Sequence, residues 1–160
     1  MKKIDLQKHL QTRKKLQNNT DKTYEITSEN QVNLTNKLYL DCSFNEKDCM
    51  LKELRDKHNG YRQQDKDKEI YDISTFITIE EIIEKLVASC LKCCYCKNNI
   101  SILYKNSREP YQWTLDRINN NLDHSNINTV ISCLKCNLER RKKNIDKFKF
   151  TKQLNLIKKE

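Results

Sequence analysis

The chain has 160 residues, enough for one ordinary domain or for one compact module with a helical extension, but too few for two full domains. Only 36% of its residues are hydrophobic and 33% are charged, with a single Gly and a single Pro, which excludes a large buried core and implies that part of the chain needs a staple or a partner. The net charge of +9 favours a polyanionic partner, DNA first and RNA as the alternative, although a Lys-rich composition also arises from an AT-rich coding sequence.

Neither a membrane span nor a signal peptide is indicated. No apolar stretch approaches the ~20 residues that a span requires, and the N-terminal MKKIDLQKHLQTRKK has no apolar signal core. We therefore expect a soluble, intracellular protein in a reducing compartment, with no membrane partner. Eight cysteines in such a compartment favour metal binding over disulfide bonds.

Residues 1–77 predict a basic, mostly helical extension of unknown role. Three leucines near the start are loosely spaced as a helical stripe: Leu6, Leu10 and Leu16. A second helix is predicted from Glu46 to about Lys57, with Gly60 placed to end it. The charged segment 61–68 is interpreted as a solvated linker.

Residues 78–160 predict a separate module, and it opens with the clearest helix of the sequence. Thr78 and Glu81 form a capping-box pattern. The apolar positions that follow recur at helical spacing: Ile79, Ile82, Ile83, Leu86, Val87, Cys90 and Leu91. An amphipathic helix therefore leads the chain into its cysteines.

After the cysteines the pattern predicts a hairpin and a helix. Ile100–Tyr104 and Gln112–Ile118 have the composition of short strands, Asn119–Asp123 is a turn-forming cluster, and Asn128–Ser132 is the returning strand. From Cys133 onward a helix is predicted, with apolar positions on one side (Leu134, Leu138, Ile145 and Phe148) and basic ones outside (Arg140, Arg141, Lys142 and Lys143). The predicted fold class is α+β.

Two CxxC pairs predict one structural zinc site. Cys93 and Cys96 form the first pair and Cys133 and Cys136 the second, and together they supply the four thiolates that tetrahedral zinc prefers in structural sites. The 36 residues between the pairs exceed the usual zinc-finger spacing, so the intervening stretch is expected to fold as an inserted hairpin.

The other cysteines leave alternatives open. Cys90 also forms a CxxC with Cys93, but it lies on the predicted apolar stripe and is interpreted as a core residue, with Cys94 as a spectator. A second site is conceivable from three loosely spaced residues, for which burial in the core or chance is the better explanation: Cys42, Cys49 and His58.

The C-terminal part also contains the segment YQWTLDRINNNLDHSNINTVISCLKCNLERRKK. Together with the CxYC knuckle before it, this segment resembles the HNH (ββα-metal, treble-clef zinc) endonucleases, and more closely the small forms seen in large DNA viruses and phages. The resemblance covers the C-terminal 70 or so residues and leaves 1–77 uncovered. It implies a zinc-stapled ββα-metal module and, for a viral protein, a location in the host cytoplasm or nucleus.

The resemblance also implies roles for individual residues. Asp116 and Asn137 would bind a catalytic Mg²⁺ or Mn²⁺ ion, which polarises the scissile phosphate, and Asn128 would hold the loop that orients the general base. Arg117 stands where the family has its base histidine, and a guanidinium cannot accept a proton. Arg117 could clamp a phosphate instead, while His124 is the only imidazole nearby, in a loop expected to be solvated.

The sequence is compatible with three functions. The leading one is a metal-dependent endonuclease acting on DNA, with the four basic residues from Arg140 to Lys143 against the phosphates. The alternative is a catalytically weak or inactive HNH-like zinc module that binds nucleic acid, because the family's histidine has been lost. A protein-interaction adaptor is the third. Under the second hypothesis, Arg117→His is expected to increase cleavage.

Overall fold

The computed structural model describes residues 27–154, and the predicted stripe of Leu6, Leu10 and Leu16 lies outside this range. The described part is mixed α+β, with five helices and one two-stranded antiparallel sheet. The helices and strands follow one another in this order: α1 Ser28–Tyr39, α2 Lys47–Asp67, α3 Ile79–Ala88, β1 Trp113–Arg117, β2 Thr129–Cys133, α4 Leu134–Arg140 and α5 Ile145–Gln153. None of these helices has the length and apolar character needed to cross a bilayer.

Helix α2 is longer than the sequence pattern suggested. It runs through Gly60, where it was expected to end, and continues to Asp67. A glycine inside a helix costs about 1 kcal/mol relative to alanine, but the turns after it carry Tyr61 and Asp65, both of which are buried. The prediction of a solvated linker over 61–68 is therefore wrong, since burial of these side chains extends the helix.

Helix α3 begins as predicted and ends earlier. Thr78 Oγ1 accepts from the Glu81 amide and Glu81 Oε2 accepts from the Thr78 amide, which confirms the capping box. The helix stops at Ala88, and both Cys90 and Leu91 have positive φ values, of 48° and 50°. This turn buries Leu91 and leaves Cys90 exposed, so the assignment of Cys90 to the core is wrong.

The predicted strand Ile100–Tyr104 is not a strand, apart from a single bridge between Ser101 and Gln112. The backbone of this segment is bound by a side chain of α1. Gln31 Oε1 accepts from the amides of Ile102 and Leu103, and Gln31 Nε2 donates to the Leu103 carbonyl. Because the buried Gln31 satisfies these groups, no partner strand is needed.

Strands β1 and β2 form the predicted hairpin within one residue at each end. Trp113 pairs with Cys133 and Asp116 with Val130, so the first strand ends beside the 119–124 loop. Trp113 is fully buried, and Lys57 of α2 donates to its carbonyl while the Lys57 ammonium lies 4.8 Å from the centre of its ring. Helix α2 is thereby attached to the hairpin.

The single helix expected from Cys133 onward is divided in two. Arg141 has a φ of 52° and ends α4, and Asn144 caps α5 by accepting from the amides of Asp146 and Lys147. In α4, Leu138 is exposed and Arg140 is buried, both contrary to expectation, whereas Phe148 of α5 is buried as predicted. The polypeptide after the hairpin therefore presents a basic turn rather than a continuous basic helix face.

One apolar core runs through the described residues. Leu38, Met50 and Leu54 of the first two helices belong to the same buried cluster as Trp113 and Phe148. Residues on both sides of the predicted boundary at 77/78 thus share a core, and the side chains around the hairpin come from both parts.

Candidate functional site

The four cysteines of the two CxxC pairs lie together as predicted. Their Sγ atoms are all within 4.8 Å of one another, and Cys96 Sγ lies 3.9 Å from Cys133 Sγ. A tetrahedral zinc ion with Zn–S bonds of about 2.3 Å separates its sulfur ligands by roughly 3.8 Å. The quartet therefore has the spacing to hold a structural metal ion such as zinc.

Local backbone geometry brings the quartet together. Cys93 and Cys96 lie in a tight knuckle in which the Lys97 amide donates to the Cys93 carbonyl, and Lys97 has a φ of 61°. Cys133 ends β2 and caps α4, where its Sγ accepts from the Cys136 amide. The Cys94 amide donates to the carbonyl of Ile131 at 3.0 Å, which joins the knuckle to β2.

The thiols interact strongly with one another. Hydrogen bonding from the Cys133 thiol lowers the pKa of Cys93, and the same bond raises the pKa of Cys133. Cys94 lies outside the quartet, as expected. Within residues 27–154 the quartet is the only group of His, Cys, Asp and Glu placed to hold a metal ion, so the conceivable second site from Cys42, Cys49 and His58 is not formed there: Cys42 is exposed and His58 bonds the Ile77 carbonyl.

A cleft of about 440 Å³ lies between α2, β1, α4 and the 119–124 loop. Four residues singled out in the sequence line it: Asp116, Arg117, His124 and Asn137. Asn128 does not line the cleft but spans the loop at its edge, since its side chain accepts from the Asn119 amide and donates to the carbonyls of Asn119 and Asp123. The sequence-predicted residues are thus brought to one place.

Asp116 is buried and its carboxylate is fully engaged. Arg140 donates to both oxygens, from Nε to Oδ2 at 2.5 Å and from Nη2 to Oδ1 at 2.7 Å, and the Tyr95 hydroxyl donates to Oδ2 at 2.6 Å. Arg140 is only 1% exposed. Its assignment to the nucleic-acid-binding surface is therefore wrong, and a cation that binds Asp116 has to compete with the Arg140 guanidinium.

Asn137 offers a free oxygen to the cleft. Its Nδ2 donates to Thr114 Oγ1 at 3.1 Å and to the Leu115 carbonyl at 3.2 Å. Within the described part of the chain, Oδ1 has no hydrogen-bond partner. Carboxylate and amide oxygens are the donor types that Mg²⁺ and Mn²⁺ prefer, so the donor set of Asp116 and Asn137 suits such an ion once Arg140 has moved.

His124 is buried at 3% exposure, contrary to the expected solvated position. Its Nδ1 lies 2.7 Å from Asp65 Oδ1, and its amide donates to Asp65 Oδ2 at 2.7 Å. Burial lowers the pKa of His124 below its ordinary value of 6.5, although the nearby Asp65 acts in the opposite direction. The ring is therefore neutral at neutral pH.

Arg117 is also held inside the protein. Its Nη1 donates to the Leu122 carbonyl at 3.1 Å and lies 3.4 Å from Asp65 Oδ1. Two charged residues that line the cleft, Asp116 and Arg117, are each paired with a buried partner behind it, Arg140 and Asp65 respectively. Buried charges are expected to occur in such pairs.

Asp65 was not found from the sequence. The signal that points to it is the spacing of the buried residues Met50, Leu54, Tyr61 and Asp65, which continues a helical stripe past Gly60. Tyr61 belongs to the same wall, because its hydroxyl accepts from the Leu115 amide and its ring lies 4.8 Å from that of His124.

No protein-family model, curated protein or solved structure matches this chain. The fold and the site define a mixed α+β protein with a polar cleft and a four-cysteine cluster that could hold a structural metal ion such as zinc.

Proposed function

We propose that this protein is a metal-dependent endonuclease of the HNH type, which hydrolyses phosphodiester bonds in DNA. The observation that carries the proposal is the buried His124, held by Asp65 in a cleft that Asp116 and Asn137 also line. A neutral imidazole that shares a cleft with two oxygen ligands supplies a general base and a place for a metal ion, which together can hydrolyse a phosphodiester. In the same proposal, the zinc-bound hairpin and helix form a ββα-metal module of the treble-clef type.

His124 acts as the general base. Its Nε2 accepts a proton from a water molecule, the water oxygen forms a bond to phosphorus, and the ester P–O bond on the opposite side breaks, its oxygen taking a proton from solvent. A Mg²⁺ or Mn²⁺ ion bound by Asp116 and Asn137 would polarise the phosphate and stabilise the leaving oxygen. Asn128 stabilises the conformation of the loop before His124 by donating to the carbonyls of Asn119 and Asp123.

DNA is bound by the basic turn between α4 and α5. Arg141, Lys142 and Lys143 are exposed there, and Asn120 at the cleft donates to the Arg141 carbonyl at 2.9 Å. The turn therefore flanks the cleft, where it can hold the phosphates beside the cut. Such contacts give affinity without reading the base sequence.

Incubation of the zinc-loaded protein with supercoiled plasmid tests the proposal. Nicking is expected with Mg²⁺ or Mn²⁺ and none with EDTA under conditions that retain the zinc. His124→Gln is expected to lose about 10²–10⁴-fold in rate, whereas His58→Gln, which changes a histidine outside the cleft, keeps the rate. Equal nicking by the two variants would remove His124 from the mechanism.

A second function is favoured by the bond between Arg140 and Asp116. If this ion pair is permanent, no cation binds and the protein is a non-catalytic zinc module that binds nucleic acid. Mn²⁺ binding followed by electron paramagnetic resonance separates the two functions: binding that is lost in Asn137→Ala supports the nuclease, and absence of binding to the intact protein supports the second function.

A further inference from the structure

Asp65 belongs to α2, outside the segment that resembles a nuclease, and lies 59 positions before His124. Its side chain is completely buried. Both of its oxygens bond to His124, one to the ring Nδ1 and the other to the backbone amide, each at 2.7 Å. These two bonds fix the ring and the loop that carries it relative to α2.

The bond to Nδ1 determines which ring nitrogen carries the proton. An ionised carboxylate only accepts hydrogen bonds, so in the neutral ring Nδ1 must be the donor and Nε2 must have the free lone pair. The ring of Tyr61 lies 4.8 Å from that of His124 at an angle of 30°, which limits rotation of the imidazole. Nε2 is thus left as the basic atom of a fixed ring.

We propose that Asp65 is a positioning residue for catalysis, which holds His124 in the orientation and tautomer that a general base requires. This inference rests on the proposed nuclease function. It also makes α2 part of the catalytic site, because without this helix the histidine has no carboxylate behind it. Arg117 stands at the position of the family's base and here helps to hold Asp65. The proposed base is therefore His124 in the loop and not the residue at the end of β1.

Groups from two elements face His124. Asp65 and Tyr61 come from α2, Lys68 follows α2 as its cap, and Arg117 comes from β1. Arg117 and Lys68 disfavour the charged imidazolium and Asp65 favours it. Loss of the Asp65 charge therefore leaves two cations facing the ring and makes protonation of His124 harder.

The test compares Asp65→Asn with Asp67→Asn, which makes the same change at an exposed position on the same helix. An asparagine can donate its amide to Nδ1, which puts the ring proton on Nε2 and removes the base. We expect Asp65→Asn to lose about 10²–10⁴-fold in the nicking rate and to lose the rise in rate with pH that accompanies deprotonation of His124. Asp67→Asn is expected to keep both.

The protonated ring nitrogen of His124 can also be identified by NMR, independently of any catalytic activity. In ¹⁵N–¹H spectra of the zinc-loaded protein, with the ring signals assigned by His124→Gln, Nδ1 is expected to be protonated near pH 7.5 and Nε2 not. In Asp65→Asn the proton is expected on Nε2. The readout from the intact protein does not require Asp65→Asn, so it decides the tautomer of His124 even if that variant does not fold.

Failure of the positioning role of Asp65 can be distinguished from failure of the nuclease function. Protonated Nε2 in the intact protein overturns the role of Asp65, and so does an Asp65→Asn variant that folds, retains zinc and nicks at the normal rate while the plasmid test otherwise succeeds. If the intact protein does not nick at all, the nuclease function and the positioning role both fail, and Nδ1 protonation then identifies a purely structural pair.

Discussion

The buried Arg140 guanidinium donates hydrogen bonds to both carboxylate oxygens of Asp116. Removal of one partner leaves the other as an uncompensated buried charge, which costs about 3–5 kcal/mol. We therefore expect Asp116→Ala and Arg140→Met each to lower the free energy of unfolding by this amount. The double variant should lose much less than the sum, as measured by urea denaturation with zinc present. Strictly additive losses would show that the two side chains are not coupled.

An exposed ion pair provides the control for this cycle. Lys47 donates to Asp41 at 2.7 Å, and the Asp41 side chain is 91% exposed. Surface pairs of this kind contribute little to stability. Asp41→Asn removes the charge but keeps a residue type that tolerates the φ of 54° at this position, so it should leave the unfolding curve unchanged. The buried pair also means that Asp116→Ala removes more than a cation ligand, so any loss of activity in that variant must be compared with its loss of stability.

Cys133→Ser should unfold the C-terminal part of the protein and release the metal. Binding of zinc by four thiolates supplies folding free energy directly, and Cys133 both belongs to the four-cysteine cluster and caps α4. Zinc content by elemental analysis and helix content by circular dichroism measure the effect. Cys94→Ser, next to a ligand but outside the quartet, should keep the zinc. A folded, metal-free Cys133→Ser protein would disprove the assignment.

Stability should fall as the pH drops below about 6.5, through the titration of His124. The pKa of His124 is lower in the folded protein than its ordinary value of 6.5, so the unfolded chain takes up its proton first, and acid favours unfolding in the interval between the two pKa values. His124→Gln lacks this contribution. The measurement is the difference in unfolding free energy between the intact protein and His124→Gln, from urea denaturation at pH values between 7.5 and 5.5. This difference should become smaller as the pH falls. A difference that grows with acid would mean that a charged His124–Asp65 pair dominates.

Replacement of Arg141, Lys142 and Lys143 by Gln should weaken binding to all DNA sequences alike. For every phosphate that the protein no longer neutralises, the slope of log K against log salt should become shallower by about 0.9. Arg140 is left unchanged, because it is buried and paired. Fluorescence anisotropy with labelled duplexes at several salt concentrations measures both effects.

The matched control removes three charges from exposed lysines away from this turn: Lys37, Lys52 and Lys92. Equal weakening by the two triple variants would mean that the whole basic surface binds diffusely and that the turn has no special role.

Arg117→His should reduce cleavage, contrary to the expectation from the family pattern alone. Arg117 contributes hydrogen bonds to Asp65 and to the Leu122 carbonyl, and a shorter imidazole cannot keep both while filling the same space. The loop before His124 then loses its support. Nicking rates of Arg117→His and the unchanged protein, normalised to folded, zinc-loaded chain, decide the direction; a faster variant would show that the strand-end position still serves as the base.

The four-cysteine cluster could be predicted because its information is local. Each CxxC pair specifies two of the cysteines within four residues, and the hairpin between the pairs follows from two short strand-like segments on either side of a turn-forming cluster. The capping box of Thr78 and Glu81 is equally local. Such patterns depend little on the rest of the fold, and the structure confirms them.

The walls of the cleft depend on contacts between distant positions. Asp65 looks like any other charged residue of a polar helix until the fold sets it against His124. In the run Arg140–Lys143 all four residues appear equivalent in the sequence, but in the fold only Arg140 is buried, where its guanidinium binds Asp116. The apolar run Ile100–Tyr104 resembles a strand, but Gln31 takes its backbone hydrogen bonds. In each instance tertiary packing outweighs local propensity.

Trp113 gives the protein an optical reporter of its own. It is the only tryptophan in the chain and is fully buried. It lies directly across the hairpin from Cys133, a member of the four-cysteine cluster, and beneath the ammonium group of Lys57. Opening of the metal centre would admit water to the indole and shift its emission to longer wavelength, so loading and loss of the metal can be followed by intrinsic fluorescence without a label.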